Sequence, residues 1–103
     1  MVMNADNLEW LQQWYLSHCN EDWEHQYGIS IKNLDNPGWQ VTVDLVGTEL
    51  QCREFKELAI KRTSEDWVHC KIAGPRDLPT FEAQGGALNL TELVEIFRRW
   101  VQE

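Results

Sequence analysis

Basic residues are scarce in this chain, and almost nothing in it is arranged for catalysis. Lys and Arg number nine against seventeen Asp and Glu, a formal net charge of −8. That balance excludes the positive surface a phosphate backbone requires, so no nucleic acid is expected as a ligand. No apolar run approaches the roughly 18 residues of a membrane span, which removes the membrane as a partner. The opening MVMNADNLEW has neither the basic stretch nor the apolar core of a secretion signal, and a cytoplasmic location is expected. Cysteine is rare and odd in number: Cys19, Cys52 and Cys70 suit free buried thiols in a reducing compartment better than a disulfide framework. Phosphate-binding loops and serine-nucleophile motifs are missing, and Gly85-Gly86 alone does not supply one. No cofactor is expected.

At 103 residues the chain makes one domain, 1–103, which can bury about two-thirds of its unfolded surface without a metal or disulfide staple. Its clearest pattern runs from Trp23 to Val46. Apolar or aromatic residues alternate at Trp23, Tyr27, Ile29 and Ile31, and again at Trp39, Val41, Val43 and Leu45. A period of two puts one face of a strand on a core and the other in water. Between the runs, Asp35-Asn36-Pro37-Gly38 must turn, since Pro fixes φ and Gly accepts φ > 0. Both apolar sets are odd-numbered, so matched faces require an odd loop, with Ile31 opposite Val43 (three residues, 36–38) or Val41 (five, 34–38).

Helical spacing brackets the strands. Leu8, Trp10, Leu11, Trp14, Tyr15 and Cys19 predict a first helix over about 7–19, opened by an Asp6/Glu9 capping pair. Its apolar arc is close to half the circumference, which suggests a helix laid on a sheet. Leu58 and Ile60 mark a third strand and Val68, Cys70 and Ile72 a fourth. Arg76 to Gly86 reads as irregular, with a short extended piece at 80–83. Asn89 and Glu92 start a last helix whose stripe is Leu90, Leu93, Val94, Phe97, Trp100 and Val101. The expected fold is therefore α+β, in the order α-β-β-β-β-α. It is a four-stranded antiparallel meander with the N- and C-terminal helices packed on one face and the other face wet.

His18-Cys19, His69-Cys70, His25 and Cys52 contain the residue types of a zinc site, which needs three or four converging ligands. On a strand His69 and Cys70 point to opposite faces, and Cys70 shares the apolar parity of Val68 and Ile72, so it belongs to the core. Glu24 and His25, neighbours on a strand, likewise alternate sides, which separates a candidate acid and base, although Asp22 and Glu24 can share a face. Cys52-Arg53 sets a thiol beside a cation, yet no anion cradle follows it. Neither a catalytic nor a metal site is expected. The alternatives are a small enzyme using Cys52 or His25, or a homodimeric scaffold in which one of the six tryptophans pairs across a two-fold axis.

Three segments carry a family resemblance: Trp10-Leu11-x-x-Trp14-Tyr15, Asp22-Trp23-Glu24-His25-x-Tyr27-Gly28-Ile29 and Leu34-Asp35-Asn36-Pro37-Gly38-Trp39. With the Trp67 to Cys70 strand and the closing NLTELVEIFRRW helix, they resemble the immunity protein 53 family of bacterial polymorphic toxin systems, over almost the whole chain. The resemblance implies a small cytoplasmic antidote, encoded beside a toxin, that binds the toxin domain and blocks it without catalysis. It carries over no contact residues. An acidic domain suits a basic, nuclease-type toxin, because opposite charge speeds encounter and can cover the phosphate-binding patch. The expected partner-binding residues are Asp22, Glu24, Gln40, Thr42 and Asp44 on the outward face of the first hairpin, with Asp35, Asn36, Glu65 and Asp66 in turns. Monomer and homodimer remain open.

Overall fold

Odd-numbered Ile29, Ile31, Val41 and Val43 turn to one side of a sheet, as their period requires, and that side is covered by helices. The computed structural model describes residues 3–103, with side chains from residue 6 onward. The elements are α1 (Met3–His18), α2 (Trp23–Gln26), β1 (Ile29–Leu34), β2 (Gly38–Asp44), β3 (Leu58–Lys61), β4 (Trp67–Ala73), β5 (Thr80–Gly85) and α3 (Leu90–Val101). The reading of the N-terminal leader falls partly on residues 1 and 2, outside the described residues. No described helix is long and apolar enough to cross a membrane.

The sheet has five antiparallel strands in the order β1-β2-β5-β4-β3, not four in a meander. The β1-β2 and β3-β4 hairpins form as their alternation predicts. The chain then returns and inserts β5 between them, satisfying the free backbone groups of both β2 and β4 and burying Phe81 and Ala83. Residues 80–83, expected as a short extended piece, are thus part of the central strand. Its alternation, Phe81, Ala83 and Gly85, uses small residues at two of three positions, so the periodic signal is weak. Those small residues are what the site demands. A Cβ on Gly85 would press on the Trp67 carbonyl, and one on Gly86 would collide with the Glu65 carbonyl.

The first hairpin keeps the odd loop. Leu34 pairs with Gly38 and Ile31 with Val41, so the turn itself is Asp35-Asn36-Pro37, in the register of the longer alternative. Trp23 is not part of β1. It lies on the one-turn helix α2, buried, with its indole N–H donating to the Val46 carbonyl at 2.8 Å. Trp23 and Tyr27 are four apart, a spacing that fits a helical turn as well as a strand.

Phe97 of α3 joins the layers. Its ring meets Trp14 of α1 at 5.1 Å and Phe81 of β5 at 5.0 Å, both within the range of favourable aromatic contacts. α3 lies across β2, β5 and β4. Arg53 closes its C-terminus, donating to the Trp100 and Val101 carbonyls at 2.8 and 3.2 Å. Asn89 does precede α3, but its side chain turns away from the helix N–H groups. Its Nδ2 donates to Asp66 at 2.9 Å and to Glu92 at 3.1 Å, pinning the β3-β4 turn. α1 begins at Met3, so Asp6 lies inside the first turn, where a carboxylate suits the helix dipole, rather than capping it.

α1 packs beside α3, not flat on the sheet. Leu11 and Trp14 are buried, while Leu8, Tyr15 and Leu16 stay 49%, 37% and 70% exposed. The broad apolar arc of this helix is therefore only half covered.

Candidate functional site

The face of the sheet opposite the helices is bare, and antiparallel register decides what it displays. Across it run the rows Lys32, Gln40, Gln84, His69 and then Ser30, Thr42, Glu82, Lys71, with Asp44 beside Thr80 near one end. Gln40, Thr42 and Asp44 stand together here as their parity predicts. The face is not acidic, however. Asp44 and Glu82 share it with Lys32, Lys61 and Lys71, and Glu82 is engaged by Gln40 at 3.3 Å and by Lys71 at 4.0 Å. Asp44 accepts the Gly28 N–H at 3.0 Å, holding the chain where it enters β1.

Asp22 and Glu24 are not on this face, because their segment is helical rather than extended. Asp22 sits at the N-terminus of α2 and accepts a bond from Gln26 at 2.9 Å. Asn20 Oδ1 accepts the Trp23 N–H at 2.9 Å, and Glu24 reaches back to accept the Asn20 and Glu21 N–H groups at 2.9 and 2.7 Å. These reciprocal bonds close the 20–24 turn that leads into α2, whose N-cap Asp22 makes no side-chain capping bond. The Glu24 backbone N–H and those of Asn20 and Glu21 hold the Glu24 carboxyl below its ordinary range, against a smaller opposing effect of burial. Between them Glu21 takes φ +71°, a left-handed conformation costly for a side-chain-bearing residue. The acidic knuckle 21–24 is thus folded into a fixed shape at the entry to β1.

The remaining expected residues lie apart. Asp35 and Asn36 form the exposed tip of the β1-β2 turn. Glu65 and Asp66 occupy the β3-β4 turn, at the same end of the sheet but three strand spacings away, roughly 14 Å. Asp66 is bound there by Asn89 and by Arg62 at 3.2 Å, which together keep its carboxyl low against desolvation. The nine residues therefore do not make one patch.

Strand order imposes a different grouping of charge. Eight of the seventeen acidic residues but only one of nine basic ones, Lys32, fall in residues 1–50, a net −7 against −1 for the rest. The described part of that half, residues 3–50, builds α1, α2, β1 and β2, one lateral side of the sheet with its flanking helix, while β3 and β4 form the other margin. The net charge of the molecule is concentrated on the β1 side. In the same region an open groove of about 510 Å³ separates α1 from β1, lined by Leu8, Leu11, Gln12, Tyr15, Tyr27 and Ile31 among others. Sequence reasoning did not single out this groove. The broad apolar arc of α1 was the available signal, since an arc wider than one packing partner leaves a strip uncovered.

The residues with chemical reactivity are dispersed. Cys70 is fully buried, and burial, aided by the Glu92 charge, pushes its thiol up to about 12. His69 points to the open face and meets Glu57 at 2.6 Å. Cys52 is exposed and Cys19 half-buried, so of three cysteines expected to be buried only Cys70 is. His25 and Glu24 share α2, not a strand, and His25 is exposed. Among the described residues no three His, Cys, Asp or Glu side chains converge to hold a metal ion.

No curated protein and no solved structure matches the chain. A family model does match, that of immunity protein 53, and it spans residues 8–102, taking in α1 from Leu8 onward, the acidic knuckle, every strand and α3. With the match running through all the elements that carry the acidic half and its groove, the chain belongs to the immunity protein 53 family.

Proposed function

We propose that this chain binds and neutralises a cognate bacterial polymorphic toxin of the nuclease type by laying its acidic half over the toxin's basic active surface. The observation that carries the proposal is the charge polarity: a net −7 over residues 1–50, on the side of the sheet that presents the groove. A nuclease domain holds phosphates with Lys and Arg, and an opposed acidic surface both steers the encounter and occludes that patch. Asp22 and Glu24 contribute charge at the entry to β1, Asp44, Gln40 and Thr42 lie beside it on the open sheet face, and Asp35 and Asn36 lie at the β1-β2 turn. Glu65 and Asp66 lie at the far margin and contribute least. A stable complex of this kind buries on the order of 1,600 Å² in total.

The toxin domain encoded beside this chain is the reagent for the test. It should copurify with the protein, with an affinity that falls as salt rises. Replacing Asp22, Glu24 and Asp44 together by Asn, Gln and Asn removes three charges and leaves each side chain one acceptor oxygen, so Glu24 keeps one of its two backbone bonds and circular dichroism should confirm the fold. The triple variant should bind more weakly and with a shallower salt dependence; affinity and salt slope equal to those of the unmodified protein would sink the proposed surface.

A further inference from the structure

β1 is an edge strand, six residues long with a single charged residue, Lys32, and natural edges this long are normally blunted against pairing. Which of its backbone groups are free follows from the ladder. The Asp44 N–H donates to the Gly28 carbonyl at 3.0 Å, so the even residues of β1 bond to β2. In an antiparallel pair the alternate residues then turn their N–H and C=O groups outward. These are Ile29, Ile31 and Asn33. The side chains of Ile29 and Ile31 line the groove below, and Ile31 remains 39% exposed.

We infer that β1 takes up an extended segment of the toxin as a sixth strand, with apolar side chains of that segment seated in the α1-β1 groove and basic ones on the acidic rim. This rests on the toxin-binding reading and gives it an attachment site. A strand added about 4.8 Å beyond β1 places alternate side chains on the helix side, over Leu8, Tyr15 and Ile31. Charge complementarity selects the occupant. Glu9 stands on α1 beside Gln12 and Tyr15, Glu24 lies near Tyr15 at the other end, and the surrounding half of the chain carries net −7. A basic, apolar-alternating strand fits that rim, whereas a second copy of this acidic chain would bring like charges together.

Two variants test this against the toxin domain encoded beside the chain. Ile31→Pro removes an outward N–H that serves no bond within the sheet, a position where edge strands tolerate proline. Leu8→Asp leaves the backbone intact and places a charge in the groove. With circular dichroism confirming the fold, each should weaken binding on the order of 100-fold. In hydrogen exchange the Ile31 and Asn33 amides of the unmodified protein should become protected in the complex. If the unmodified protein fails to bind the toxin, the toxin-binding reading falls and the strand addition with it. If it binds, but both variants bind equally well and those amides stay unprotected, only the strand addition is overturned. A β1-to-β1 homodimer seen by light scattering, and unaffected by toxin, would overturn it as well.

Discussion

Glu49 ties the β2-β3 connection to α1 through two bonds whose loss can be separated. Its Oε2 accepts the Trp14 indole N–H at 3.1 Å, and its Oε1 meets His18 Nε2 at 2.7 Å. Trp14 is buried, so Glu49→Ala strands an indole N–H, whereas Glu49→Gln keeps one acceptor oxygen for the indole, removes the charge and turns an amide NH2 toward His18. A bond to a charged acceptor contributes about 1.5–3 kcal/mol, but the Glu49 side chain is 43% exposed and water screens it, which lowers the expected cost of Glu49→Ala to about 1–2 kcal/mol. For a domain of this size that is a melting-temperature loss of roughly 5–12 °C. Burial alone would raise the Glu49 carboxyl, but its own backbone N–H, Trp14 and His18 outweigh burial and hold it below its ordinary 4.5. A lowered carboxyl stabilises the fold fully above the unfolded value and loses that contribution as pH falls through the folded one. The gap between the unmodified protein and Glu49→Gln should accordingly be full at about pH 6 and shrink below about pH 4.5. Urea unfolding followed by tryptophan fluorescence measures both effects. An unchanged midpoint for Glu49→Ala, or a gap for Glu49→Gln as large at about pH 3.5 as at about pH 6, would refute the reasoning.

Two further outcomes follow from the packing. A thiol reagent at about pH 8 should label Cys52 rapidly and leave Cys70 unreacted until the protein unfolds, since Cys70 is buried and its thiol stays protonated; mass spectrometry showing equal native-state rates would contradict the core. Gly86→Ala should destabilise by about 2 kcal/mol or more, because the new methyl meets the Glu65 carbonyl in a turn pinned by Asn89. A urea midpoint equal to that of the unmodified protein would show that the turn yields.

Much of the local structure was legible in residue spacing alone. The stripe from Leu90 to Val101 predicts α3, the alternation in 39–45 and 68–72 predicts β2 and β4, and parity alone predicts an odd loop between β1 and β2. Those inferences hold because period and turn chemistry are properties of neighbouring residues. Trp23 marks where spacing is ambiguous: its distance to Tyr27 suits either element, and in the fold it is buried on a helical turn with its indole N–H bonded to the Val46 carbonyl. That choice moved Asp22 and Glu24 off the sheet face.

What the tertiary structure alone decided is who sits beside whom. Nothing local in Thr80–Gly85 says that it will insert between the hairpins, because the reward is the pairing of their distant edges rather than a period of its own. From that insertion come the β1 edge, the half-covered arc of α1 and the groove between them. The uneven distribution of charge is written in the sequence, but an acidic half-chain becomes an acidic half-molecule only because residues 3–50 build one side of the sheet and its flanking helix.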